Sequence, residues 1–246
     1  MKEKRCTLDK KHFEQLGLNI NAKALLIPNS FKDEHINLIK STKTGLFKNC
    51  KKLESIILPN TLININAETF KNCISLKNVY IPQNVEKIGA SAFCDCINLE
   101  KINIPQSVIV IGANAFRNCI KLKNISIPKS IYNILHNTFT DCRSLEEITF
   151  SNNLGLLDNY AINNCKSLKK IELPKKITHM ASYAIGDCPN IEEIILPNII
   201  EILDNNVIFN CPNLKRVYWG GTLFKSREFL NAAITIKTGK IINFWA

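Results

Sequence analysis

The residues best able to do chemistry are ten cysteines, and eight of them recur every 23 residues without a slip. These eight are Cys50, Cys73, Cys96, Cys119, Cys142, Cys165, Cys188 and Cys211. Thiolates can hold zinc, but structural zinc sites favour close pairs such as C-x-x-C. The only close pair here is Cys94 and Cys96, with one residue between them. The spacing therefore predicts no metal site, and nothing in the sequence calls for a cofactor.

A strict period instead gives each cysteine the same place in a repeating unit. Neighbouring Cβ atoms of stacked units would then lie roughly 4.8 Å apart. That separation exceeds the usual ~3.5–4.5 Å of a disulfide, so we expect reduced thiols buried as small hydrophobic groups. Cys6 and Cys94 fall outside the column, and we expect them to be more exposed and the better candidates for reactivity.

Histidine, the other residue suited to acid–base chemistry, follows no pattern. His12, His35, His136 and His179 occupy unrelated positions in the repeat, and no column joins histidine to carboxylates or a nucleophile. The sequence also contains no phosphate-binding glycine loop. We therefore predict that the protein is not an enzyme.

A period of 23 residues is typical of a leucine-rich-repeat solenoid, in which each unit contacts mainly its neighbours. Aliphatic or aromatic residues follow each column cysteine at three, six and eight positions, and Phe or Ile precedes it by three. Alternation such as that around Ile102 and Ile104 predicts a half-buried strand, and stacking the repeats forms a parallel sheet. A Phe and a Cys three residues apart, as in Phe116 and Cys119, predict one helical turn.

Repeats such as LEKINIPQSVIVIGANAFRNC, residues 99–119, resemble the BspA-type (Treponema-type) leucine-rich repeat over roughly residues 25–221. The resemblance implies an α/β repeat fold: a right-handed solenoid with a parallel sheet on the concave face and short helical turns on the convex side. We expect an N-terminal cap over 1–24, a short helix begun by Thr7, and a C-terminal cap over 222–246. The first repeat is irregular, with about eight residues inserted around Phe31 to Lys43 and expected to bulge from the convex side.

Two polar columns predict ladders between coils. Asn or Asp stands before every column cysteine, and we interpret this column as a structural ladder because five of its eight members are neutral Asn, which disfavours a calcium row. A second column alternates in sign from Glu54 and Lys77 to Glu192 and Lys215. We expect each charge in it to lie between two opposite ones.

The net charge of +11 resides at the two ends of the chain. Residues 1–52 carry +7, residues 53–219 carry +1 and residues 220–246 carry +3. The repeats thus lack the basic stripe of a nucleic-acid reader, and we predict no nucleic-acid partner, with weak attraction to anionic membranes left as an alternative. The sequence has no apolar stretch of membrane-spanning length and no secretory signal at its start. This absence leaves three alternatives: the protein stays in the cytoplasm, leaves the cell by another route, or is a fragment. The family resemblance instead suggests the cell surface, where many proteins of the resembled family act.

Binding is expected on the exposed strand positions that alternate with the buried ones, because solenoid curvature makes such a face an extended surface. Tyrosines beside aliphatic residues at the two ends are interface anchors or, alternatively, only cover the sheet next to the caps. We predict a monomeric protein-binding module, acting in surface adhesion or, alternatively, as an intracellular scaffold or regulator. The candidate binding residues are Ile57, Tyr80, Lys101, Asn103, Asn124, Lys170, Glu172, Ile195, Arg216 and Tyr218.

Overall fold

The computed structural model describes residues 4–32, 36–204 and 206–224, which form short strands and one short helix. In chain order these elements are β1 (Lys4–Leu8), α1 (Lys10–Gln15), β2 (Ala24–Leu26), β3 (Ser30–Lys32), β4 (Ile36–Thr42), β5 (Ser55–Ile57), β6 (Asn64–Ile65), β7 (Asn78–Tyr80), β8 (Lys87–Ile88), β9 (Lys101–Ile102), β10 (Val110–Ile111), β11 (Asn124–Ser126), β12 (Asn133–Ile134), β13 (Glu147–Thr149), β14 (Leu156–Leu157), β15 (Ile162–Asn163), β16 (Lys170–Glu172), β17 (His179–Met180), β18 (Ile185–Gly186), β19 (Glu193–Leu196), β20 (Ile202–Leu203), β21 (Ile208–Phe209), β22 (Arg216–Trp219) and β23 (Thr222–Phe224). No helix in these ranges is both long and apolar enough to cross a membrane.

The strands stack into a solenoid whose coils are held in phase by the 23-residue period. Ser55 pairs with Asn78, and Asn78 with Lys101, so each regular coil advances the register by one repeat. What we call the front sheet, predicted to be concave, consists of the hydrogen-bonded blocks β2-β5-β7-β9, β11-β13 and β16-β19-β22-β23. The side ladder consists of β1-β4-β6-β8-β10 and β12-β14-β17-β20. The predicted parallel solenoid is thereby confirmed.

The interior is a column of aligned side chains, as the sequence predicts. Five phenylalanine rings stack with neighbouring centroids 5.1–5.7 Å apart and planes within 10° of parallel. These rings belong to Phe47, Phe70, Phe93, Phe116 and Phe139, all fully buried. In the later coils Ile162, Ile185 and Ile208 occupy the same place and are equally buried, so the change of residue leaves the column closed.

The prediction of helical turns is wrong, because alternate backbone N–H groups donate hydrogen bonds to the next coil and not within their own. Ser91, Phe93 and Asp95 donate their N–H groups to carbonyl oxygens 22 residues further along, in the next coil. The N–H groups between them, such as that of Cys94, bond three residues back. A helix would direct every N–H along its own axis, so this segment is a chain of turns instead, which we call the back turns. In the later coils it pairs as β15-β18-β21.

Two residues per coil take the left-handed backbone conformation that these turns require. One column is the predicted row of Asn and Asp before each cysteine, with φ between 43° and 64°. Its side chains also form the expected ladder: the Nδ2 atom of Asn118 donates to Oδ1 of Asp95 at 2.9 Å, and Asn164 donates to Asp141 in the same way. The second column lies four residues earlier and includes Ser91 and Tyr160, which the sequence did not indicate.

The N-terminal region contains a strand as well as the expected helix. Asp9, not Thr7, caps α1, since its carboxylate accepts the N–H groups of Lys11 and His12. The inserted segment does not bulge from the back turns: β3 pairs antiparallel with β4, and β4 joins the side ladder between β1 and β6. At the other end β23 pairs antiparallel with β22. The rest of the predicted C-terminal cap, residues 225–246, lies outside the described residues.

Candidate functional site

The ten predicted binding residues lie on the front sheet, nine in its strands and Asn103 directly after β9. Strand residues alternate between solvent and core, so that Ile57 is 53% exposed beside Ile56 at 2%. The register then places exposed side chains of successive coils side by side in rows. The structure therefore brings the ten residues onto one face, in separate groups rather than one cluster.

The most apolar group is a row at the N-terminal end of the front sheet. Leu26 pairs with Ile57, and Ile57 with Tyr80, so the three side chains are neighbours on adjacent strands. Their exposed fractions are 64%, 53% and 55%. Leu26 was missed because it precedes the first column cysteine, although Pro28 after its strand matches Pro59 after β5. This row forms a continuous apolar strip open to solvent in the described structure.

The corresponding row at the C-terminal end is more covered. Glu172 pairs with Ile195, and Ile195 with Tyr218. Ile195 and Tyr218 are half-buried, unlike the exposed residues of the N-terminal row. The added strand β23 places Leu223 opposite Tyr218. Here the geometry favours the alternative interpretation, in which the aromatic residue covers the end of the sheet.

The charged candidates at this end are engaged with one another. Glu193 contacts Arg216 Nε at 2.8 Å and Lys170 Nζ at 3.1 Å, and Lys170 also lies 3.7 Å from Glu172. Hydrogen bonds from Arg216 and Lys170 lower the pKa of Glu193, and the carboxylate in turn raises the pKa of Lys170 and of Arg216. This network fixes the positions of three of the ten predicted residues.

Members of the alternating charge column form ion pairs with one another only at the two ends of the column, among the described residues. Glu54 contacts Lys77 at 3.1 Å and Lys23 at 3.5 Å, and Glu192 contacts Lys215 at 3.4 Å. Among the described residues, no ion pair within 4.0 Å joins the four central members to one another. These members are Glu100, Lys123, Glu146 and Lys169. Backbone hydrogen bonds, such as those from Glu100 to Lys77 and from Glu146 to Lys123, nevertheless place column members of opposite sign on adjacent coils, as expected.

A groove of about 800 Å³ opens in the front sheet between β13 and β16. Ile148 and Phe150 in its floor are half-buried, whereas their counterparts in the next coil, Ile171 and Leu173, are 2% and 4% exposed. The sequence carries a signal for this site, since Ser151 stands where six other repeats have proline.

Seven of the eight column cysteines are buried in the core and form no disulfide, whereas Cys50 is half-buried. The Sγ atoms of Cys73 and Cys142 donate to the carbonyl oxygens of Phe47 and Phe116 in the preceding coils, at 3.0 and 3.2 Å. Burial raises the pKa of both thiols to about 12. A protonated, enclosed thiol is neither a nucleophile nor a metal ligand, so the expected buried thiols are confirmed.

The two cysteines outside the column differ in what the structure says of them. Cys94 is 6% exposed, and its Sγ atom donates to Oδ2 of Asp95 at 3.3 Å. Burial and the neighbouring carboxylate raise the pKa of Cys94 to about 12, so the expectation that it is exposed and reactive is wrong. The side chain of Cys6 lies outside the described residues.

Histidine does meet carboxylates across coils, which the column analysis missed. His136 Nδ1 lies 3.7 Å from Asp158 and His179 Nε2 lies 3.6 Å from Asp204. The offset between partners differs in the two pairs, so no column could reveal them. The His35 side chain lies outside the described residues, and within the rest no three potential metal-ligating side chains cluster around one point.

Comparisons with known proteins agree with this geometry. The family model for the BspA type leucine rich repeat region matches six copies over residues 40–154 and 110–235. A crystal structure of a Treponema pallidum leucine rich repeat protein is similar, with a TM-score of 0.58, 21% identity, and coverage of 92% of this chain and 87% of that one. A leucine rich cell surface protein from Faecalibacterium prausnitzii gives a TM-score of 0.55 and 19% identity, covering 81% and 70%. A search of the curated proteins finds no match.

Proposed function

Because the chain belongs to the BspA-type leucine-rich-repeat family, we propose that it is a non-enzymatic module that binds a protein partner through the front sheet. The observation that carries this proposal is the apolar strip of Leu26, Ile57 and Tyr80. Apolar side chains held on a rigid sheet lose little conformational entropy on binding, and exposed tyrosine beside aliphatic residues is favoured at interface centres.

The polar middle of the front sheet completes the proposed surface. Lys101 and Asn103 are exposed in one coil and Asn124 in the next, and they present donors and acceptors beyond the apolar strip. A partner would thus meet an apolar centre near one end and a polar rim along the sheet, an arrangement common to protein interfaces.

The test is capture of natural partners from the source cell by wild-type protein and by the variants Tyr80→Ala and Tyr218→Ala. Tyr132→Ala is the matched control, because Tyr132 is 56% exposed, like Tyr80 at 55%, yet precedes a side-ladder strand. We expect Tyr80→Ala to reduce recovery of a specific partner at least tenfold and Tyr132→Ala to leave it unchanged. Retention of every partner by both Tyr80→Ala and Tyr218→Ala would refute the proposed face.

We propose further that the partner is met at a cell surface, in an adhesive role. Support comes from the description of the Faecalibacterium prausnitzii protein as a cell surface protein. An intracellular scaffold is the second candidate, favoured by the free thiols of the cysteine column. Labelling of intact source cells with an impermeant amine reagent separates the two: labelled protein supports the surface role, and protein labelled only after lysis supports the scaffold.

A further inference from the structure

The groove between β13 and β16 arises from a local opening of the front sheet. These two strands belong to different hydrogen-bonded blocks, although the same two coils remain joined through β14 and β17 in the side ladder and through β15 and β18 in the back turns. The front strands β13 and β16 therefore remain neighbours without ladder hydrogen bonds, as β9 and β11 do, while the other two faces of these coils stay paired.

Two departures from the repeat coincide with the groove. Phe150 occupies a column that holds aliphatic residues in all other coils except the last, where it is Trp219, and Ser151 replaces the proline that follows. The ring of Phe150 is half-buried, whereas Leu173 at the same position of the next coil is buried. The hydroxyl of Ser151 is buried with no partner among the described residues, which shows that this corner is not optimally packed.

The floor of the groove is apolar and its two ends carry opposite charges. Ile148 and Phe150, with Leu173 behind them, form the floor. Glu146 and Glu147 lie at the end where the strands begin, and neither is in an ion pair within the described structure.

Two lysines lie at the other end, where the strands finish. Lys175 and Lys176 follow Pro174, and Lys176 Nζ donates to Asn153 in the preceding coil at 2.9 Å, which fixes their level along the groove. Lys170 begins β16 at the level of Glu147, at the acidic end, but its charge is offset by its contacts with Glu172 and Glu193. The charge of the groove is therefore segregated, acidic at one end and basic at the other.

We infer that this groove binds an extended peptide segment of a protein partner, with an apolar side chain over Ile148 and Phe150, a basic residue at the acidic end and an acidic residue at the basic end. The inference rests on the proposed function and names the kind of partner that part of the front sheet accepts. The nearest members of the two ends, Glu147 and Lys175, are five residues apart in strand register, which is about 17 Å at ~3.3 Å per residue. Five or six extended residues span that distance.

The backbone adds a reason for an extended ligand. Ile148 and Glu172 belong to strand edges that face each other with no hydrogen bond between them in the described structure. Exposed N–H and C=O groups of a strand edge bind extended chains, while side-chain pockets select the sequence. Opposite end charges would favour one direction of the peptide over the other.

The experiment selects from a phage-displayed library of random seven-residue peptides on the folded protein and measures the enriched peptides by fluorescence anisotropy. We expect enriched sequences with an apolar centre, Lys or Arg on one side and Asp or Glu on the other. The double variants Glu146→Gln with Glu147→Gln, and Lys175→Gln with Lys176→Gln, should each weaken binding at least fivefold. Raising the salt concentration from 50 to 500 mM should also weaken peptide binding to the wild type, because salt screens the charges at the two ends of the groove.

The control variant Glu86→Gln with Lys87→Gln removes one charge of each sign from exposed positions of the side ladder, outside the groove and outside the proposed binding face, and should bind like the wild type. Unchanged thermal unfolding of all variants shows that the fold is kept. The inference is overturned if no peptide is enriched, if enriched peptides lack the charge pattern, or if both groove variants bind normally. If Tyr80→Ala abolishes binding of the enriched peptides while the groove variants bind them normally, this inference is overturned and the proposed function stands.

Discussion

The phenylalanine stack gives the sharpest test of how the solenoid is stabilised. Phe93 is fully buried in the middle of the stack, with ring centroids 5.1 Å from Phe70 and 5.6 Å from Phe116. Phe93→Ala leaves a cavity that two neighbouring coils cannot fill without losing register, so we expect a loss of about 3–5 kcal/mol in the free energy of unfolding. A double-mutant cycle with Phe70→Ala should give a coupling of about 0.5–1.5 kcal/mol from the stacked pair.

The assay is urea unfolding followed by circular dichroism, with hydrogen exchange to report whether the coils unfold together, since repeats couple mainly to their neighbours. Phe150→Ala is the matched control: the same truncation of a half-buried ring should cost only about 1–1.5 kcal/mol. Phe93→Ile should cost less than Phe93→Ala, because isoleucine fills the same position in the later coils. Equal losses for Phe93→Ala and Phe150→Ala, or no coupling with Phe70, would refute the column as the main source of stability.

Three further predictions concern pH, backbone conformation and charge. Burial raises the pKa of Cys142 from 9.0 to about 12. The protonated thiol therefore contributes up to about 4 kcal/mol to the free energy of unfolding, which is complete below pH 9 and is lost as the pH rises to 12. Alkaline unfolding, followed by thiolate absorbance at 240 nm, should be cooperative in the wild type and should depend less steeply on pH in Cys142→Ala. Ser91→Asn should raise the free energy of unfolding by about 0.5 kcal/mol in urea titrations, and Ser91→Val should lower it by about 1 kcal/mol, because φ is 54° at this residue. Lys77→Glu should lower the melting temperature more than Lys123→Glu, since only Lys77 contacts an acidic neighbour, Glu54, and 0.5 M salt should remove the difference.

The sequence predicted the core of the fold because burial repeats with the period. Any residue that must point inward in every coil, such as Phe93 or Cys96, is constrained in type, and the constraint appears as a column. The same reasoning found the row of Asn and Asp, since those residues both adopt the left-handed conformation and bond each other across coils. In these columns one physical demand selects one kind of side chain.

The back turns could not be predicted in this way, because hydrogen bonds between coils impose their conformation through the backbone. The second left-handed column contains Gly45 and three Asn residues, which favour this conformation, but also Glu68, Ser91, Tyr160 and Tyr183, so no single residue type marks it. The i, i+3 spacing of Phe and Cys suits a helical turn equally well, so side-chain spacing alone could not separate the two structures. A helical turn and the back turns differ in the direction of the backbone N–H groups, and the sequence does not reveal that direction.

Candidate binding positions were predictable only where they follow strand alternation. That rule placed Ile57 and Tyr80 on the front sheet, but it could not show that Tyr218 would be half-buried beside β23. The groove lies where Ile148 and Phe150 are only half-buried, and the burial of these side chains depends on how the two coils pack. Ser151 marks a break in the pattern, and the structure is needed to reveal the groove at that break.

A regular solenoid presents nearly the same surface in every coil, so regularity alone cannot select one partner. Selectivity must come from the positions where the repeats differ. In this protein the core columns stay nearly constant, while the front sheet changes from the apolar strip around Ile57 to the segregated charges that flank Phe150. The clamped side ladder and back turns allow such changes, because they keep the coils stacked where the front sheet gives up its hydrogen bonds. If the proposed function holds, substitutions at exposed positions of the front sheet should alter binding with little effect on folding, because the other faces keep the coils stacked.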